Sequence, residues 1–310
     1  MDLLLGPDSP PTRQSKIANK VIRQAARRLW ETAPDTTAGL LRVRRWADRV
    51  GATNRVPNGV EIVQEDFGRF GGEWVRSRVV DEGKVFLYLH GGGYFFGNPR
   101  LFRGLSWRLS AATRRPVLMV DYRLSPEHTP ADALTDAMLA YESLLARGHA
   151  PGDIVVGGDS AGGHLALSLL HALKRRGETL PAAAVVICPW ADLLCTAASH
   201  ADNERTDHLI PASKVRWLGG VFTEGADEQD ALHDPIRGDY TGFPPLMVIA
   251  SSTEVLRDDA RLVARLATEA GVDVVHQEWN DQVHVFPVFA DFVPEGKAAF
   301  RHIREFLGKR

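Results

Sequence analysis

Cysteine is scarce in this chain: two occur in 310 residues, Cys188 and Cys195. Two thiols with no CxxC pair and no Cys/His cluster beside them support neither a disulfide framework nor a metal site, so both read as reduced thiols in or near a core. An excess of one charge is lacking too. Lys and Arg number 37 against 39 Asp and Glu, for a net charge of -2. A balanced chain presents no general field to gather nucleic acid or an anionic membrane surface. The expected ligand is therefore small and largely uncharged, with no nucleic-acid or membrane partner. No run of ~18 apolar residues occurs, so no transmembrane helix is expected. The opening MDLLLGPDSPP has neither the basic start nor the apolar stretch of a secretory leader. A cytoplasmic enzyme follows as the expectation, with residues 1–11 as a loosely tethered lead-in.

What is present is a regular alternation. Short apolar or β-branched runs read as strands: VEIVQ (60–64), KVFLYLH (84–90), PVLMVD (116–121), DIVVGG (153–158), AVVICP (184–189), LMVIAS (246–251) and VDVVHQEW (272–279). Several are apolar throughout, as befits strands covered on both faces of a parallel sheet. Between them lie helical patterns with legible ends. Thr129, Pro130 and Asp132 form a capping-box start for a helix reaching Arg147, with Gly148 as the stop. Another starts after Ser160 and ends in Lys174, Arg175 and Arg176, cations suited to a helix C-terminus. A third runs from about Asp258 to Ala270. The alternation predicts an α/β fold with a mostly parallel central sheet in a single domain.

Two segments stand outside that alternation. Residues 12–33 set Ile17, Val21, Ala25 and Leu29 on one helical face, opposite Lys and Arg. Residues 195–224 are polar and irregular, then apolar around Val215, Trp217, Leu218 and Phe222. Together, as about 1–45 and 195–224, they are expected to form a helical cap.

The chemistry centres on two motifs. The strand DIVVGG runs into Gly158-Asp159-Ser160-Ala161-Gly162 and then a helical pattern. GxSxG alone is a weak signal in a chain with 28 glycines; between a strand and a helix it predicts a nucleophile elbow with Ser160 at its apex. There the hydroxyl stands clear of the backbone at a helix N-terminus, where developing negative charge is favoured. Upstream, KVFLYL ends in His90-Gly91-Gly92-Gly93. Consecutive glycines after a strand allow backbone turns that aim N–H groups at an oxyanion. The amides of Gly91, Gly92 and Ala161 are the expected donors, with His90 bracing the loop. A phosphate cradle is the competing reading, but no Lys-Ser/Thr follows, and the next residues are Tyr94, Phe95 and Phe96.

In this order, HGGGYFFG, VDYRLSPEH (120–128), GDSAGGHLAL (158–167) and PW-D-L (189–193) resemble the hormone-sensitive-lipase family of esterases over roughly residues 60–307. The resemblance implies an α/β-hydrolase fold and hydrolysis of short- to medium-chain carboxylic esters with no metal or organic cofactor. It also implies structural support from Asp121, Tyr122, Arg123, Pro126 and Glu127, and members often form homodimers. In that fold the triad runs Ser, acid, His. His284, in the loop NDQVHVF after the last strand pattern, occupies the family's histidine position. Alignment on the stretch STEVLRD puts Glu254 where the family usually has Asp, with Asp258 as the alternative. Tyr94 and Phe95, with Phe96 and Trp190, are candidates for an apolar substrate pocket; Asp159 and Leu256 are further candidate substrate contacts. An amidase or deacetylase would use the same triad, a binding module resembling the plant gibberellin receptors would lack the histidine, and a lipase working at a lipid interface would need an exposed apolar cap face.

Overall fold

The computed structural model describes residues 5–224 and 234–308. Its strands are β1 (Glu61–Asp66), β2 (Gly71–Arg76), β3 (Val85–Leu89), β4 (Val117–Asp121), β5 (Ile154–Asp159), β6 (Ala183–Ile187), β7 (Leu246–Ser251) and β8 (Val274–Trp279). The described residues build one eight-stranded sheet in the order β1-β2-β4-β3-β5-β6-β7-β8. β2 runs antiparallel to β1 and β4, and the pairings from β4 through β8 are parallel.

The apolar runs are explained by what covers each face. Val85, Leu87 and Leu89 of β3 join one buried cluster, with residues of the helices α5 (Pro130–Ala146), α6 (Ala161–Arg175) and α9 (Arg257–Glu269). Phe86 and Tyr88 join another, with residues of α4 (Arg103–Thr113) and α10 (Pro294–Leu307). A strand between two helical layers has no solvent face, so alternation disappears. β2 (GGEWVR) escapes the sequence reading because it opens on two glycines and carries charge. Its place depends on tertiary pairing: the buried Glu73 carboxylate accepts two hydrogen bonds from Arg103, at 2.7 and 2.9 Å. The capping box that opens α5 is formed, with Thr129 Oγ1 accepting from the Asp132 amide at 3.2 Å and Asp132 Oδ2 from the Thr129 amide at 2.9 Å. Such a cap stabilises a helix by about 1 kcal/mol.

The N-terminal helix departs from expectation. It comprises α1 (Arg13–Ile22), a π turn (Arg23–Arg27) and α2 (Arg28–Thr32), and is followed by α3 (Thr37–Gly51). Ile17 and Val21, on the apolar face of the sequence pattern, are 64% and 59% exposed. The polar side buries instead, because its groups find partners there. Ser15 donates to the Glu295 carboxylate, and Asn19 Nδ2 donates to the Asp281 carbonyl at 2.8 Å. A π turn takes up an extra residue and so rotates the downstream face against the upstream one. Ala26, Leu29 and Trp30 consequently turn toward a cavity that Ile17 and Val21 do not reach. The lead-in is also tied down where it is described: Arg301 Nη2 donates to the Leu5 carbonyl at 2.6 Å. Residues 1–4, part of the expected lead-in and cap, lie outside the described residues.

The second outlying segment holds α7 (Ser199–Asp202) and α8 (Ala212–Thr223). It meets the first directly. The buried Arg27 guanidinium donates to the carbonyls of Glu204, Asp207 and Ile210 at 2.8, 3.0 and 2.7 Å. Lys214 donates to the Ala33 carbonyl and pairs with Asp35 at 2.6 Å. None of the described helices is long and apolar enough to cross a membrane.

Candidate active site

β5 ends at Asp159 and α6 begins at Ala161, leaving Ser160 in the turn at φ 52°, ψ −122°. That conformation is strained for a residue with a side chain. It is held by the Ser160 amide donating to the Ile187 carbonyl at 2.9 Å, and by its carbonyl accepting from the amides of His164 and Trp190, both at 3.1 Å. The flanking glycines are steric requirements. A Cβ on Gly158 would lie 2.1 Å from the Gly162 carbonyl oxygen, and one on Gly162 would lie 2.1 Å from that of Leu89. The GxSxG spacing therefore expresses the close crossing of elbow and β3.

β3 leads into the glycine loop. His90 is buried between Tyr122 and Phe102, with ring centroids 4.4 and 5.4 Å away. Burial pushes its pKa down to about 4, so the ring is neutral, and Nδ1 lies 2.8 Å from the Gly91 carbonyl. Tyr122 supports the loop from below, its hydroxyl donating to the His90 carbonyl at 2.6 Å. Glu127 pairs with Arg44 of α3 at 2.9 Å, and Arg44 in turn donates to the Phe95 carbonyl at 2.6 Å.

Gly91 is not placed as expected for an oxyanion donor. Its amide donates to Asp159 Oδ1 at 3.0 Å, an oxygen that also accepts from the Tyr88 hydroxyl at 3.1 Å. Gly92 and Gly93 do line the cavity beside Ser160. Among the described residues no protein acceptor takes the amides of Gly92, Gly93 or Ala161. Gly92 adopts φ 122°, and a Cβ there would come 2.0 Å from the Phe96 carbonyl oxygen. Asp159, expected to contact substrate, does border the cavity, but its carboxylate is committed to the loop. Burial raises its pKa to about 7, against the pull of its two donors.

Glu254 and His284 come from the turn after β7 and the loop after β8. His284 Nδ1 lies 2.5 Å from Glu254 Oε2, with both groups buried. Glu254 Oε1 accepts the Ser251 amide at 2.7 Å. The two loops are stitched together by Ser251 Oγ, which donates to the Gln282 carbonyl at 2.6 Å and accepts its amide at 3.1 Å. His284 Nε2 is buried with no partner among the described residues, and His284 lines the cavity that Ser160 lines. Asp258, the alternative acid, is turned away: it accepts the Ser199 amide at 3.0 Å and pairs with Arg257 at 2.9 Å. Asp281 is held by His208 Nε2 at 2.8 Å.

The cavity encloses about 1120 Å³ including its open mouth. Phe96, Trp190 and Leu256 line it as expected. Tyr94 and Phe95 do not. Tyr94 sits at φ 61° with its hydroxyl 2.6 Å from His164 Nδ1, and Phe95 is buried against Trp30 and Phe96, at centroid distances of 6.0 and 5.0 Å. The glycine turn that frees the loop amides sends these two rings into the core.

The family profile described as the α/β-hydrolase fold matches residues 86–288. An acetyl-hydrolase of Streptomyces hygroscopicus is 38% identical over 84% of this chain and 92% of its own length. Esterase LipU of Mycobacterium tuberculosis is 36% identical over 72% of this chain and 77% of its own. A crystal structure of an esterase from the bacterial hormone-sensitive-lipase family superposes with a TM-score of 0.88 at 34% identity, covering 97% of this chain and 99% of that one. The chain belongs to the hormone-sensitive-lipase family of α/β-hydrolases. It is an esterase of that family.

In this hormone-sensitive-lipase family member several cavity residues were beyond the sequence reading. Val43, Trp46, Ala47 and Val50 of α3 line the cavity at i, i+3, i+4 and i+7, a helical period whose apolar stripe does not by itself tell a core face from a cavity wall. Gly93 had no such signal. Which loop amide is occupied depends on where Asp159 points.

Proposed function

We propose that this esterase hydrolyses short- to medium-chain acyl esters with Ser160 as nucleophile, His284 as base, Glu254 as acid and the amides of Gly92, Gly93 and Ala161 as oxyanion hole. The observation that carries the reading is the buried 2.5 Å contact between His284 Nδ1 and Glu254, which leaves Nε2 unpartnered at the cavity Ser160 lines. Ser160 Oγ attacks the ester carbonyl while His284 Nε2 takes its proton, and the three amides receive the oxyanion. Collapse expels the alcohol with the proton from His284. Water then attacks the acyl-enzyme, its proton passing to His284 and on to Ser160, and the carboxylic acid leaves. Glu254 holds the ring's tautomer and stabilises the imidazolium, as an Asp does elsewhere.

Residues 5–45 and 195–224 act as the cap in this scheme. Leu29, Trp30, Val43, Val215 and Leu218 from these segments wall the cavity, which suits an apolar acyl or alcohol group.

The test is hydrolysis of p-nitrophenyl esters from acetate to palmitate by wild type and Ser160→Ala. Wild type should favour the shorter esters, and the variant should lose on the order of 10⁴-fold or more in kcat. A Ser160→Ala enzyme near the wild-type rate would remove Ser160 from the scheme; a wild type silent on every ester but active on p-nitroanilides would move the substrate class to amides.

A further inference from the structure

We propose that Cys188 is a positioning residue for the acid–base pair, its sulfur joining the Glu254 carboxylate to the loop that carries His284. This rests on the triad reading given above.

Cys188 follows β6 directly and is wholly buried, at φ 49°, with its amide donating to the Ile249 carbonyl at 2.6 Å. The backbone is thereby fixed on β7, whose end carries the turn to Glu254. On the other side, Cys188 Sγ accepts the amide of Val285 at 3.3 Å. Val285 adjoins His284 and adopts φ 54°, ψ 40°, a left-handed conformation that is costly for a β-branched side chain. The sulfur contact is what the loop gains for that conformation. Sγ, a Glu254 carboxylate oxygen and a His284 ring nitrogen all lie within 4.8 Å of one another. Burial first, then the charge of Glu254, hold the Cys188 pKa well above the usual thiol range. With Sγ accepting from Val285, the protonated thiol stands beside the Glu254 carboxylate, and in this proposal its S–H is directed there. Placement in a core accounts for its burial but not for the Val285 bond or for the sulfur's place beside the Glu254–His284 pair.

Three substitutions separate the roles. Cys188→Ala removes the sulfur, Cys188→Gly removes the side chain at a φ of 49° that glycine adopts freely, and Cys188→Ser keeps a donor and an acceptor. With p-nitrophenyl butyrate, Ala and Gly should lower kcat about tenfold with KM within about twofold, the scale of one lost hydrogen bond to a charged group. Ser should restore most of kcat. A carboxylate that has lost a donor holds the imidazolium proton more firmly, so the acid limb of kcat/KM should move to higher pH in Ala and Gly. Melting temperatures measured alongside identify a poorly folded Ala variant, in which case the Gly–Ser comparison decides. Wild-type kcat in Ala and Gly overturns the proposal, and so does a Ser variant that falls with them, since packing alone would then explain the loss. Ser160→Ala in the same assay keeps the two claims apart: its activity would defeat the triad reading, whereas an inactive Ser160→Ala with unaffected Cys188 variants defeats only this one.

Discussion

Asp159 shows how one side chain can serve a site it does not join chemically. It precedes the proposed nucleophile, and its carboxylate reaches back to fix Gly91 and Tyr88. Burial favours its neutral form, with a folded pKa of about 7 against 3.8. The sign follows from linkage: the stabilising contribution of the protonated form is fully present below about pH 3.8 and is lost as pH rises through about 7. Asp159→Asn keeps a carbonyl acceptor for both donors and has no charge to bury. Thermal melts across that range should show the Asn variant gaining on wild type as pH rises, and a constant difference would contradict the burial argument. Asp159→Ala leaves a buried amide and hydroxyl unpaired, at a cost of about 1–3 kcal/mol for each.

At the scale of elements, the N-terminal helix is held by its polar side. Arg27 donates to three carbonyls of the 204–210 segment, and the next turn of helix presents Leu29 and Trp30 to the cavity across from Leu209 and Ile210. Anchor and cavity wall are thus adjacent on one helix. Arg27→Leu should lower stability by roughly 2–3 kcal/mol, because carbonyls bonded to a charged group lose their partner. It should also raise KM for the longer p-nitrophenyl esters more than for acetate. Melting temperature and KM across the ester series check both, and an unchanged KM profile would confine Arg27 to stability. Upstream on this helix the polar side bonds Glu295 and the Asp281 carbonyl, which leaves Ile17 and Val21 in solvent: the polar side had hydrogen bonds to make, and the apolar stripe had no cavity to fill.

At the scale of the whole molecule, the cavity is an assembly of distant segments: the π turn with α2 and α3, the glycine loop, the elbow, the 209–218 region and the loop after β8. Trp30 lies where the first of these faces the rest, packed 6.0 Å from the Phe95 ring. Trp30→Ala should enlarge the apolar space and raise the ratio of kcat/KM for octanoate over acetate severalfold, one extra methylene in such a pocket being worth ~1–3 kcal/mol. An unchanged ratio would place the acyl chain elsewhere in the cavity.

The sequence by itself determined the sheet interior, the capped start of α5 and the elbow at Ser160, because each depends on a local rule. Two-sided burial removes alternation, a capping box marks a helix start, and Gly158 and Gly162 are the only residues small enough where the elbow crosses β3. Alignment with related esterases pointed to Glu254 and His284. The tertiary structure decided what pairwise contacts over long separations decide. It placed β2 by sheet pairing and the Glu73–Arg103 contact, and it turned the N-terminal helix by the bonds of Ser15, Asn19 and Arg27. It gave the Gly91 amide to Asp159, sent Tyr94 and Phe95 into the core, and brought the Cys188 thiol beside the Glu254–His284 pair. Three glycines in a row are equivalent as text; they become distinct only when a carboxylate from another strand takes the amide of one.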